Sequence, residues 1–171
     1  MEMTTYEPGV PSWVDVGSPD PKRDIEFYSQ LFGWDCKEGP PEAGGYTIAE
    51  IDGKPVAGLG PQMNPDAPPL WLMYVNVDSA DDAATKVAAN GGQTFMGPMD
   101  VMMSKPPMMP AEVPPHWNIY FGVADLDEAM NAVQTLGGQA PAGRMDSPAG
   151  PFAPAVDPTG APFTIIQLAG R

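Results

Sequence analysis

The chain has 171 residues, 43% of them apolar, and carries a formal net charge of −14. That length allows one domain or two small ones around a substantial core. That charge argues against nucleic acid and anionic membrane surfaces as partners, which need Lys/Arg patches, and leaves room for a cationic or neutral ligand.

Residues 1–11 read as a flexible lead-in. Their MEMTTYEPGV has neither a basic n-region nor an apolar h-region, so no signal peptide is expected. SWVDV, residues 12–16, alternates as a short strand does. Asp20 then caps a helix with Pro21 at its first position. Ile25, Tyr28, Leu31 and Phe32 give this helix an apolar face, and Gly33 stops it. Residues 34–37 form a strand, and 46–51 and 54–60 form a hairpin around Asp52-Gly53. A first β-α-β-β-β unit therefore spans 12–63, with 64–69 as linker.

The second unit, 70–101, begins with a strand at 70–77. A helix capped by Ser79 follows, with Ala84, Val87 and Ala88 facing inward, and then a strand near 93–101. The unit lacks a closing hairpin. A Met/Pro-rich connector covers 102–115. The last unit, 116–171, is full. It has a strand at 116–123, a helix capped by Asp125 with Ala129, Met130, Val133 and Leu136 inward, and strands near 139–144, 152–156 and 162–168. The turn Asp157-Pro158-Thr159-Gly160 precedes the last strand. Residues 68–100 and 114–146 align without a gap at an offset of 46, matching Trp71/Trp117, Tyr74/Tyr120, Val87/Val133 and Gly91-Gly92-Gln93/Gly137-Gly138-Gln139. This is a repeated supersecondary unit. The fold class is α+β.

WVDVGSPDPKRDIEFYSQLFGW, GGYTIAEIDGKPVAGLGP and VDPTGAPFTIIQL resemble the opening helix, hairpin and closing hairpin of the vicinal oxygen chelate superfamily, which includes glyoxalases, bleomycin-resistance proteins and extradiol dioxygenases. The chain is most similar to the tandem two-module glyoxalase-like subgroup, with an internal segment missing near residues 100–103. The resemblance implies a glyoxalase-type open barrel, or cup. Either units one and three close it, or two chains exchange units in a homodimer; the edge left open in unit two invites such pairing.

Strand parity sorts the residues that would line the cup. With Val14 and Val16 under the helix, Trp13 and Asp15 face the cup. In the last unit His116, Asn118 and Tyr120 face it, and on the closing strand Phe163, Ile165 and Gln167, while Thr164, Ile166 and Leu168 go under the helix. Trp71 and Trp117 fall on the helix side. Trp13, Tyr120 and Phe163 are placed to stack a planar ligand, and Asn118 and Gln167 to hydrogen-bond it or each other.

Metal-dependent members of the superfamily hold a divalent ion with His and Glu from four strands. Carried over, those positions fall near Pro11, near Ala57 or Gly58, on Asn118 and on Gln167, none a His, Asp or Glu. Asp15 and His116 supply only two ligands, too few for a metal site of known geometry. The expectation is therefore a metal-independent binder of a small aromatic or cationic molecule, without a cofactor. The alternative is a metal-dependent lyase or dioxygenase using Asp15 and His116. Met96, Met99, Met102, Met103, Met108 and Met109 cluster around the join and suit a dimer seam. Cys36, the one cysteine, excludes an intramolecular disulfide and fits the cytoplasm, and no nearby His would make it a nucleophile.

Overall fold

The computed structural model describes residues 5–40, 43–94, 97–98 and 117–169. Strand β1 (Pro11–Ser18) leads into helix α1 (Pro21–Phe32). The Asp20 side chain accepts the Arg23 N–H at α1's start, and Gly33 ends it in the left-handed conformation at φ 70°. Strand β2 (Asp35–Glu38) precedes the hairpin β3 (Thr47–Ile51) and β4 (Lys54–Pro61). Asp52 at φ 53° and Gly53 at φ 74° make its two-residue turn, the positive-φ pair that matches strand twist. Then come β5 (Leu70–Val75), α2 (Ala80–Ala89), β6 (Tyr120–Gly122), α3 (Leu126–Thr135), β7 (Phe152–Val156) and β8 (Pro162–Ile166).

Two sheets result. The larger runs β2-β3-β4-β1-β5, with β1 parallel to β4 and antiparallel to β5. The smaller runs β6-β8-β7, with β6 parallel to β8. The strand expected near 139–144 is reduced to two isolated bridges, Gln139–Val156 and Met145–Phe152. Most of the strand expected at 93–101, the connector 102–115, His116, and Met96, Met99, Met102, Met103, Met108 and Met109 lie outside the described residues.

Helix α1 is packed on both sides. Its Tyr28 ring stands edge-on to Trp71 of β5 at 5.2 Å and to Phe163 of β8 at 5.7 Å. Phe32 meets Phe121 of β6 at 5.0 Å. The smaller sheet therefore lies against the helix side of the larger one, and a single core runs through both. This corrects the expectation that units one and three close one cup: their presumed cup faces do not meet. It also explains why Asp24 and Phe27, off the anticipated apolar stripe of α1, are buried.

Helix α2 is the opposite case. None of its residues is buried and no other described element packs against it. In α3 the stripe Leu126, Ala129 and Val133 is buried, and its counterparts Ala80, Ala83 and Val87 are not. Beside α2, β5 pairs only with β1 among the described strands.

Candidate functional site

The face of the larger sheet away from α1 holds a cavity of about 120 Å³. Asp15 and Gly17 of β1, Gly60 of β4, Leu72 and Tyr74 of β5, and the 61–68 loop wall it in. The cavity is of the order that admits one aromatic ring, given that about 150 Å³ takes up benzene.

Tyr46 organises its polar side. The Tyr46 hydroxyl accepts the Trp13 Nε1–H at 3.0 Å and donates to Asp15 Oδ2 at 3.1 Å. Its ring lies across β4, where only glycine permits it. A Cβ on Gly58, the residue paired with Asp15, would run into the Tyr46 hydroxyl, and one on Gly60 would come within 2.8 Å of Tyr46 Cδ2. Burial pushes the Asp15 carboxyl above the usual carboxylate range, while hydrogen bonds from Tyr46 and Tyr74 pull it the other way. Burial, and then the Asp15 charge, raise both the Tyr46 and Tyr74 phenols, so both stay protonated donors.

Gln62 fixes the loop. Its Nε2 donates to the carbonyls of Asn64 at 2.7 Å and Ala67 at 2.8 Å. Two carbonyls facing one end of the amide identify that end as the nitrogen. The other end, Oε1, is buried without a protein partner. The cavity thus holds the Asp15 carboxyl and the Gln62 amide within tyrosine, leucine and proline walls.

The other anticipated residues lie elsewhere. Asn118 donates its Nδ2–H to Thr164 Oγ1 at 2.9 Å, and both line a separate hollow on the smaller sheet. Tyr120 is half exposed, 6.1 Å from Phe152. Phe163, assigned to the cup, is 1% exposed and belongs to the core on the helix side. Gln167, also assigned to the cup, accepts the Leu126 N–H at the start of α3 with its Oε1, at 3.2 Å. Parity misled here because Phe163, Thr164, Ile165 and Ile166 are all buried: β8 is covered on both faces, and a strand apolar on both faces carries no alternation to count. Trp117, placed on the helix side, is instead 76% exposed, since β6 begins only at Tyr120. Trp71 is core, as parity placed it.

Among the described residues no metal-ligating side chain stands beside Asp15, and His116, the other ligand expected, lies outside them. The neighbours of Asp15 are a phenol O–H and an indole N–H, and Gly58 opposite it seats the Tyr46 ring. Among the described residues no three His, Cys, Asp or Glu side chains come together. Tyr46 and Tyr74 were missed from the sequence. The pattern Gly58-Leu59-Gly60, a strand with no side chain on one face, was the readable sign that a neighbouring ring fills the space.

A larger hollow of about 540 Å³ opens on the helix side, between Leu31, Phe32, Trp34 and the β6–α3 junction. Asp125 and Glu128 stand in its wall at the start of α3.

Comparison with known proteins gives the family. A family model described as a glyoxalase-like domain matches residues 13–166. The anthracycline biosynthesis protein DnrV of Streptomyces peucetius is 38% identical over 115 residues, covering 58% of this chain and 42% of that protein. The putative glyoxylase CFP32 of Mycobacterium tuberculosis is 38% identical over 102 residues, covering 56% and 39%. The chain thus spans less than half the length of these relatives. A glyoxalase/bleomycin resistance protein/dioxygenase family enzyme of Burkholderia phytofirmans shares the fold, with a TM-score of 0.52 at 15% identity over 92% of this chain and 97% of that one.

Proposed function

The chain belongs to the glyoxalase-like domain family, and we propose that it works there as a metal-independent binder of a small molecule joining a cationic N–H donor to a flat apolar body. The observation that carries this reading is a partly desolvated Asp15 carboxyl in a cavity walled by Tyr46, Tyr74, Leu72 and Gln62. Asp15 stays desolvated although Tyr46 and Tyr74 donate to it, and a cation offsets that desolvation. A relative named for anthracycline biosynthesis is consistent with small-molecule chemistry.

The test is thermal-shift screening with matched aromatic amines and their neutral analogues, with Zn²⁺, Ni²⁺, Fe²⁺ and Mn²⁺ as the competing arm. Amines are expected to raise the Tm, and Asp15→Asn to weaken their binding about 10- to 100-fold, the range of one charge-assisted hydrogen bond. Stabilisation by the metals alone would sink the reading in favour of the metal-dependent lyase or dioxygenase.

A further inference from the structure

The contact between α1 and the turn joining β7 to β8 holds two buried carboxyl groups around one hydroxyl. Asp24 is fully buried on the first turn of α1, and Asp157 is 4% exposed. Thr159 Oγ1 stands 3.0 Å from Asp24 Oδ2 and 3.0 Å from Asp157 Oδ1. A threonine hydroxyl has one hydrogen and can donate to only one of them at a time.

The two carboxyls are unequally supplied. Asp157 Oδ1 accepts the backbone N–H groups of Thr159 at 3.0 Å, Gly160 at 2.9 Å and Ala161 at 2.9 Å. Its Oδ2 accepts the Tyr28 hydroxyl at 2.8 Å, which in turn accepts Trp71 Nε1–H at 2.8 Å. Asp157 is therefore fitted as the ion. Asp24 Oδ1 is buried and accepts no well-formed hydrogen bond. A charge there would be buried, half unsolvated and beside a like charge, which a proton relieves.

We propose that Asp24 is the proton-bearing member of a carboxyl pair bridged by Thr159, and that this pair is a pH-sensitive clasp holding α1 to the β7–β8 turn. With Asp24 protonated, the chain Asp24–Thr159–Asp157 is complete: the acid donates to the hydroxyl and the hydroxyl donates to the ion. Without that proton, two like charges face each other across one hydrogen. Burial and then the Asp157 charge push Asp24 up to about 7, against the hydroxyls of Ser18 and Thr159, with Asp20 adding a smaller upward push. Those groups come from α1, its cap, β1 and the turn. Tyr28, on the next turn of α1, also feels both carboxyls. From β2, β4 and α3 no titratable side chain bears on Asp24 among the described residues.

The sign follows from a folded value above the unfolded one. The clasp's contribution is complete below about pH 4, the unfolded carboxyl range, and is lost as pH rises through about 7. Carboxyl-carbon NMR of the full chain, with unfolding measured from pH 5 to 8 on the unaltered protein and on Asp24→Asn, tests it. Asp24 is expected to titrate near neutrality. The unfolding constant should rise about a hundredfold over that range, and Asp24→Asn should remove most of that rise. Protection of the Gly160 and Ala161 amides, corrected for intrinsic exchange, should fall over the same interval. An Asp24 carboxyl titrating near 4, or a variant keeping the full pH slope, overturns the proposal. The NMR titration decides it even if the variant does not fold.

Discussion

Tyr46 does three jobs from one position: it takes the Trp13 N–H, donates to Asp15 and covers the glycines of β4. The third makes the first two fragile. Gly58→Ala puts a methyl where the hydroxyl stands, so the ring must leave. The expected cost is about 1–3 kcal/mol of stability, the usual range for overpacking, measured by denaturant unfolding. Amine affinity should fall with it, because Tyr46 no longer holds the Asp15 carboxyl in place. Asp15 also sets a pH dependence. Burial raises its folded value, so the stability it contributes is full below the unfolded carboxyl range and lost as pH rises through the folded value. A cationic ligand prefers the ionised form, so binding is expected to tighten as pH rises through that titration. Calorimetry in two buffers of different ionisation enthalpy should register the proton released.

At the scale of elements, α2 and α3 test how much a helix owes to its surroundings. Both are capped as the sequence foretells, by Ser79 and by Asp125. Val87 is 42% exposed and Val133 is fully buried. Val133→Ala is expected to cost about 2 kcal/mol, and Val87→Ala no more than about 0.5. Hydrogen exchange should find α2 opening at lower free energy than α3. The contrast marks what was legible. Caps, the Asp52-Gly53 turn and the Gly33 stop are local chemistry, written in two to four adjacent residues. Trp13 and Asp15 came out on the cavity side because β1 alternates. The faces of β8 and the second packed side of α1 depend on what lies across from them, and a chain read alone does not state its neighbours. The site escaped for the same reason: Tyr46 matters through two glycines on another strand, Gly58 and Gly60.

At the scale of the whole molecule, the edge of β5 and the face of α2 that no described element covers lie next to one another in the chain. Exposed Leu72, Tyr74, Val75 and Val77 accompany them. An unpaired edge beside apolar surface favours association of copies, and the net charge of −14 opposes it. Salt screens the second term and leaves the first. Light scattering is therefore expected to show average mass increasing with protein concentration, and more steeply at 0.5 M than at 0.05 M salt. A monomer under all these conditions would remove the expected homodimer.

The two-sided packing of α1 has a consequence for how the chain comes into being. Tyr28 finds its carboxylate partner 129 residues later, and Asp24 finds its hydroxyl 135 residues later. At synthesis rates of roughly 5–20 residues per second, α1 waits on the order of ten seconds for them. During that interval Phe27, Tyr28 and Phe32 lack the partners that Phe121 and Phe163 supply. Of the three helices described, the one synthesised earliest is among the last to be fully enclosed, and such late closure slows folding and prolongs exposure to aggregation.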